Sequence, residues 1–277
     1  MTAPGVLVLV ATPIGNLGDL SPRATATLAE ADVVLCEDTR RTGRLLAAAG
    51  VSARRLVAVH DHNEARQVAG VLERLRAGEV VAVVSDAGMP GISDPGERLV
   101  RAAASAGFEV RVVPGASAAV AGLVASGMAT GRFVFEGFLP RSGAGRRERL
   151  EALVGERRTM VLYEAPHRLV RTLVDLAEVL GPERGVALCR ELTKLHEEVW
   201  RGSLVAAVAR ADEVVPRGEY VVVVEGAPAP EAAGDDDLVA AVEARVADGL
   251  STRDAVAEVA SVYGVSKRRV YDLATGR

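Results

Sequence analysis

Residues 80–96 read VVAVVSDAGMPGISDPG. Five apolar residues are followed by a loop carrying Gly88, Gly91, Gly96, Pro90 and Pro95, with Asp86 and Asp94 among them. A run that is apolar at every position suits a strand buried on both faces, as in a parallel sheet covered by helices. In such sheets ligands bind beyond the carboxyl ends of the strands. If neighbouring segments repeat this rhythm, the loop at 85–96 becomes a candidate pocket floor.

They do repeat it. Strand-like runs lie at 6–12, 33–38, 56–60 and 109–115, separated by the helical patterns SPRATATLAEA, TGRLLAAAG, NEARQVAGVLERLRAG and GERLVRAAASAG. This alternation predicts βαβ units and an N-terminal α/β domain over 1–116 with a parallel sheet. From 117 to 226 the strand signals RFVFEGFL, RTMVLYEA, GVALCREL, EEVWRG and GEYVVVVEG follow one another more closely. The helical patterns RRERLEALVGE and HRLVRTLVDLAEVLG separate the early ones, which predicts a second α/β domain with a mixed sheet. Residues 227–236 have linker composition, and 237–277 read as a tail of short helices. Ser251 with Asp254, and Ser266, are N-cap signals, and Gly264 between them gives a helix-turn-helix-like layout.

Bulk properties narrow the class. A chain of 277 residues suits two domains with an appendage, and 49% hydrophobic content excludes a disordered protein. No apolar stretch approaches the ~20 residues of a membrane helix, and MTAPG lacks the basic start of a signal peptide. Cys36 and Cys189 each sit in an apolar run, as expected of reduced thiols in a cytoplasmic protein. A net charge of −4 argues against nonspecific coating of nucleic acid but leaves room for a local basic face. All but two of the 33 basic residues are arginine; Lys194 and Lys267 are the exceptions. Ammonium and guanidinium differ in hydration and geometry, so the exceptions draw notice.

Several nucleotide chemistries drop out. The loop TPIGNLGD after the first strand has Gly15 and Gly18 but neither a dinucleotide fingerprint nor a phosphate-loop lysine. His60 and His62 have no partner histidine or cysteine nearby in sequence, so no metal is expected.

LVATPIGNLGDLSPRA, CEDTRRTGRLL, VVSDAGMPGISDPG, VVPGASA, YEAPHRL and CRELTKLHEEVWRGSL, in that order, closely resemble the bacterial family of ribosomal RNA small subunit methyltransferase I. That family lies within the tetrapyrrole methylase superfamily. The resemblance implies two α/β domains of the tetrapyrrole methylase type with the cofactor in the interdomain cleft, plus a helix-turn-helix-like tail and a homodimer. It implies S-adenosyl-L-methionine as cofactor and the ribose 2′-hydroxyl of a decoding-centre cytidine in 16S rRNA, free or in the small ribosomal subunit, as acceptor.

On this basis Pro13, Ser85, Asp86, Ala87, Gly88 and Met89 are assigned to the cofactor, with Ile92 and Ser93 closing over it. Pro114, Ser117 and Ala118 supply a second contact at a helix start. Phe138, Leu139, Tyr163, Glu164, Ala165 and Leu192 form the wall from the second domain. Candidates for the base or its electrostatic partner are Lys194, Glu64, Asp38 and Glu197. Glu64 has the competing role of helix cap, and Lys194 that of a plain ion pair. For RNA the candidates are Arg40, Arg41 and Arg44 after the second strand, and Arg141, Arg146 and Arg147 in a basic loop. His167 and Arg168, and Lys267, Arg268 and Arg269 in the tail, complete the set.

Two other functions fit part of the chain. A methyltransferase of the same fold acting on a tetrapyrrole or other small molecule would have no need of the basic loop and tail. A DNA-binding regulator that only senses the cofactor would leave EDTRRT and HDHNE without a purpose.

Overall fold

In the computed structural model, which describes residues 4–60, 62–228 and 234–276, the apolar runs of the first half form one parallel sheet. Its strands are β1 (Val6–Val10), β2 (Val33–Cys36), β3 (Leu56–Ala58), β4 (Val80–Val83) and β5 (Glu109–Val113), in the order β3-β2-β4-β1-β5. Alternate side chains serve opposite faces. Val8, Val34 and Ala82 pack on one side with Leu28 and Leu46, from α1 (Pro22–Glu30) and α2 (Thr39–Ala48). Leu7, Leu35 and Val81 pack on the other with Leu75 and Leu99, from α3 (Glu64–Arg76) and α4 (Glu97–Ser105). Continuous hydrophobicity in the sequence is thus the mark of a sheet buried twice.

α2 begins three residues before the periodic pattern that announced it. Asp38 accepts the Arg40 N–H at 2.8 Å as its N-cap, which draws Arg40 and Arg41 into the first turn.

The second sheet contains β6 (Phe133–Phe138), β7 (Thr159–Glu164), β8 (Gly185–Arg190), β9 (Glu198–Ser203) and β10 (Tyr220–Val224), ordered β6-β7-β10-β8-β9. Only β6 and β7 are parallel; the other pairs are antiparallel, so the sheet is mixed. α6 (Ala144–Leu153) and α7 (Pro166–Leu180) match the helical patterns, α5 (Ala118–Ser126) begins at the helix start expected at Ser117 and Ala118, and α8 (Leu204–Glu213) was not expected. Beyond that start α5 is nearly all apolar, with no polar stripe to mark its extent. It lies so close to β10 that a Cβ on Gly122 would sit 2.7 Å from a Val221 methyl.

Both sheets belong to a unit spanning Met1–Gly226; a second unit spans Ala227–Arg277. Within the latter, α9 (Asp235–Ala247), α10 (Thr252–Tyr263) and α11 (Lys267–Ala274) enclose Leu238, Val242, Val256, Val259 and Val270. Ser251 caps α10 and Ser266 caps α11, and Gly264 ends α10 with φ of 65°. α9 starts inside the stretch read as linker, because Asp235, Asp236 and Asp237 favour the positive end of a helix. Residues 229–233 of that stretch lie outside the described residues.

Candidate functional site

β1 and β4 are neighbours, and the strand order reverses across them: from β1 the chain passes to β2, from β4 to β5. Such a switch point leaves a crevice at the strands' carboxyl ends. Here the two exit loops are tied together. Thr12 and Gly88 exchange main-chain hydrogen bonds of 2.9 and 3.1 Å, and the Thr12 hydroxyl donates to the Ser85 carbonyl at 3.1 Å. Gly88 has φ of 90°, and a Cβ there would lie 3.2 Å from Ile14 Cγ2. The left-handed φ favours glycine, and any larger side chain would also press on Ile14.

Over this floor opens a cavity of about 570 Å³, within the range of small-molecule sites. Ile14, Met89, Ile92, Ala118, Leu192 and Val221 give it apolar walls. Phe138 and Tyr163 meet edge to face at 5.5 Å, and the Tyr163 hydroxyl accepts the Ala119 N–H at 3.1 Å. Burial pushes the Tyr163 phenol above its ordinary range, so it stays neutral.

Charged groups sit at both ends. At one, the Asp86 N–H donates to Glu37 Oε1 at 3.0 Å, Asp86 Oδ1 accepts the Asp38 N–H at 3.3 Å, and Arg41 pairs with Oδ2 at 3.2 Å. At the other, Lys194 Nζ lies 2.9 Å from Glu191 Oε1 and 2.8 Å from Glu219 Oε2. Partial burial works to lower the Lys194 pKa, but the bonds to Glu219 and Glu191 outweigh it and hold the ammonium above its ordinary value. Glu191 is the converse: burial raises it, Lys194 and the Glu219 N–H lower it, and the net direction is down. Six carboxylates (Glu37, Asp86, Asp94, Glu164, Glu191, Glu219) line the cavity against Arg41 and Lys194. A lining of this sign favours a cationic ligand and offers no cradle for phosphate.

The backbone is strained around this cavity. Among the described residues, the non-glycine positions with left-handed φ are Ser93 (62°), Glu191 (52°) and Thr193 (66°). Ser93 and Glu191 line the cavity, and Thr193 adjoins Lys194. Outliers of this kind cluster at functional sites.

Of the residues assigned to a cofactor, Asp86, Ala87, Gly88, Met89, Ile92 and Ser93 line the cavity from the β4 loop. Ser117 and Ala118 line it from the start of α5, and Phe138, Tyr163, Glu164, Ala165 and Leu192 from the second sheet. Four do not. Ser85 is buried with its hydroxyl donating to the Gly88 carbonyl at 3.2 Å, and Leu139 is 2% exposed in the core. Pro13 and Pro114 stand outside the lining, where Ile14 and Ser117 take their places.

The four acid–base candidates separate. Lys194 alone lines the cavity. Glu64 is buried, its Oε1 accepting the N–H groups of Gly96, Arg98 and Leu99 at 3.0, 3.1 and 3.3 Å, so it caps α4 from outside. Asp38 is occupied as the α2 cap, and the side-chain bond from Arg40 holds its pKa down at about 2, too acidic to take a proton near neutrality. Glu197 accepts the Thr193 N–H at 2.5 Å and tightens the turn that presents Lys194.

The basic residues separate too. Arg41 and His167 reach the cavity, while Arg40, Arg44, Arg141 and Arg147 are exposed around the first unit's surface. Arg146 is 4% exposed and therefore unavailable to RNA; Arg168 is largely covered by Glu164 and the Leu139 carbonyl. In the tail Lys267 and Arg268 are exposed, and Arg269 pairs with Asp235 at 2.8 Å. Sequence reading passed over Ile14, Glu219, Tyr220 and Val221 as lining residues. Glu219 enters through strand pairing: Tyr220 stands opposite Arg190 across β10 and β8, which sets Glu219 beside Glu191.

Comparison with known proteins agrees with this architecture. The family model for tetrapyrrole (corrin/porphyrin) methylases matches residues 6–208, and one described as the RsmI C-terminal HTH domain matches 232–277. Proteins named ribosomal RNA small subunit methyltransferase I are 46% identical in Synechocystis, over 97% of both chains, and 49% identical in Mycobacterium tuberculosis, over 97% of this chain and 94% of that one. Among solved structures, a uroporphyrin-III-C-methyltransferase from Thermus thermophilus is 28% identical with a TM-score of 0.56, covering 79% of this chain and 94% of its own. Another structure of a Thermus thermophilus uroporphyrin-III C-methyl transferase, 22% identical with a TM-score of 0.55, was solved in complex with S-adenosyl homocysteine. The chain belongs to the tetrapyrrole methylase family and, within it, to the family of ribosomal RNA small subunit methyltransferase I.

Proposed function

We propose that this chain transfers the methyl group of S-adenosyl-L-methionine to the 2′-hydroxyl of a decoding-centre cytidine in 16S rRNA. The observation that carries the reading is the extent of the match to the rRNA enzymes. It runs over 97% of the chain, helical tail included, whereas the tetrapyrrole enzyme of known structure covers 79%.

The cavity suits this cofactor, which is cationic at its sulfonium and ammonium and carries no phosphate. Asp86 and Asp94 would hold the ammonium, and Met89, Ile92, Ala118 and Leu192 would flank the base. S-adenosyl-L-methionine supplies both the electrophilic methyl and its own leaving group. The protein's task is then to position the acceptor oxygen, where good alignment alone is worth effective molarities of ~10⁵ M or more. Lys194 is the residue for that oxygen. Held as an ammonium by Glu191 and Glu219, it donates a hydrogen bond and stabilises negative charge developing on the 2′-oxygen. Its role is electrostatic, and the proton of the 2′-hydroxyl is released to solvent as the methyl passes from sulfur to oxygen.

Arg41 and His167 at the cavity, with exposed Arg40, Arg44, Arg141 and Arg147, would receive RNA phosphates. Lys267, Arg268 and Arg269 at the head of α11 would add a contact from the tail, since recognition helices present their first residues. A homodimer fits the exposure of Val120 and Val124, one turn apart on α5, and the buried free thiols fit work in the cytoplasm.

The test is transfer of tritiated methyl to small ribosomal subunits from a strain lacking the modification. Label in an alkali-resistant dinucleotide of 16S rRNA is the expected result. Label appearing only when a tetrapyrrole is supplied would overturn the reading.

A further inference from the structure

A chain of buried polar groups runs beneath the cavity rim. Arg146 begins it, buried in a stretch whose Arg141, Arg147 and Arg149 are exposed. Its Nε donates to Asp175 Oδ2 at 2.7 Å, and its Nη groups donate to the Thr172 hydroxyl and the Pro140 carbonyl at 3.0 Å each. The Thr172 hydroxyl donates in turn to Glu164 Oε2 at 2.5 Å. Glu164, 2% exposed, accepts the Ala165 N–H at 2.9 Å and pairs with Arg168 at 3.1 Å. Arg168 closes the path by donating to the Leu139 carbonyl at 2.6 Å.

Apolar residues of similar size fill such space at no loss of stability. What they lack is direction. Both guanidinium groups here spend a donor on consecutive carbonyls, those of Leu139 and Pro140, where β6 leaves its sheet. That exit joins Phe138, in the cavity wall, to Arg141, in the basic loop. Glu164 at the other end is followed by Ala165, Pro166 and His167 on the same rim.

We propose that Arg146 and Arg168 are positioning residues that, through Thr172 and Glu164, lock the loop bearing Arg141 to the cavity rim. RNA gripped by the outward arginines is thereby registered on the cavity. The inference rests on the RNA reading above and assigns these two arginines a role other than phosphate contact.

The test compares Arg146→Met and the same-shaped Thr172→Val with Arg141→Ala in the full chain, using unmodified small subunits. Turnover, S-adenosylhomocysteine affinity by calorimetry, and RNA affinity against salt concentration are read for each. A loosened brace should cost about tenfold or more in kcat/KM, since small misplacements of a reacting group are that expensive. Cofactor affinity should stay near wild type. The salt slope should also be unchanged in both brace variants but fall by about one in Arg141→Ala, which loses a phosphate contact. A slope falling by about one in Arg146→Met would make it a direct contact, and unchanged kcat/KM in Thr172→Val would make the brace inert. Cofactor affinity falling in step with turnover would reduce the chain to a cavity wall. Any of these overturns the proposal, and Thr172→Val decides alone if Arg146→Met does not fold. A wild-type enzyme that labels no RNA would instead defeat the RNA reading.

Discussion

The side chain of Lys194 lies across Gly15 so closely that a Cβ on the glycine would fall 2.4 Å from the lysine Cγ and 3.0 Å from its Cε. The loop after β1 therefore shapes the path of the ammonium into the cavity. Gly15 has no left-handed φ, so Gly15→Ala is a purely steric change. It should displace Nζ and lower kcat about tenfold or more, with some loss of stability as the pairs to Glu191 and Glu219 are disturbed. Steady-state kinetics with a thermal melt checks this, and an unchanged kcat would show that the ammonium's position is unimportant.

Lys194→Met should abolish methyl transfer while leaving S-adenosylhomocysteine affinity intact, as measured by turnover and calorimetry. The pH dependence has a definite sign. Lys194 titrates above its ordinary 10.5 in the folded chain, so its ion pairs stabilise fully below that value and fade as pH rises through the folded one. Wild type should thus lose more stability than Lys194→Met between neutral and strongly alkaline pH in denaturant titrations. Equal losses would mean the pairs with Glu191 and Glu219 contribute nothing.

Glu64→Gln should leave turnover close to wild type, because the amide oxygen still accepts the three N–H groups at the head of α4. Loss of the negative charge there should cost about 1 kcal/mol of stability. A general base would behave differently, its removal costing ~10²–10⁴-fold in rate. A drop of that size would return Glu64 to the chemistry.

Gly88→Val should block the cofactor without unfolding the chain. The branched side chain would press on Ile14 at the cavity floor, and φ of 90° would strain it by about 1–3 kcal/mol. Calorimetry alongside circular dichroism is the check; a folded variant with undiminished affinity would remove the β4 loop from the cofactor site.

The parallel sheet was plain in the sequence because apolar runs such as VVAVV have a single physical meaning when they recur between amphipathic helices. Of α5 only the start at Ser117 and Ala118 was legible: one side of the helix packs on the second sheet, and it carries almost no polar stripe to mark its extent. The β4 loop announced its lining residues through its own composition. The acidic end of the cavity did not announce itself, since Glu219 and Glu191 are 28 residues apart in the chain and meet only through antiparallel pairing of β10 with β8. Arg146 misled for a related reason. Its neighbours Arg141 and Arg147 are solvated, and nothing local distinguishes the one that turns inward to Asp175 and Thr172.

The left-handed residues flanking the cavity imply a trade-off between endurance and turnover. Thr193 is β-branched with φ of 66°, a conformation that such residues avoid. Replacing it with glycine would relieve about 1–3 kcal/mol of strain against roughly 0.5–1 kcal/mol of added chain entropy. Thr193→Gly should therefore melt at a higher temperature than wild type yet turn over more slowly, its lysine-bearing turn freed to wander. The same sequence that makes the enzyme work keeps it from being as durable as its fold allows.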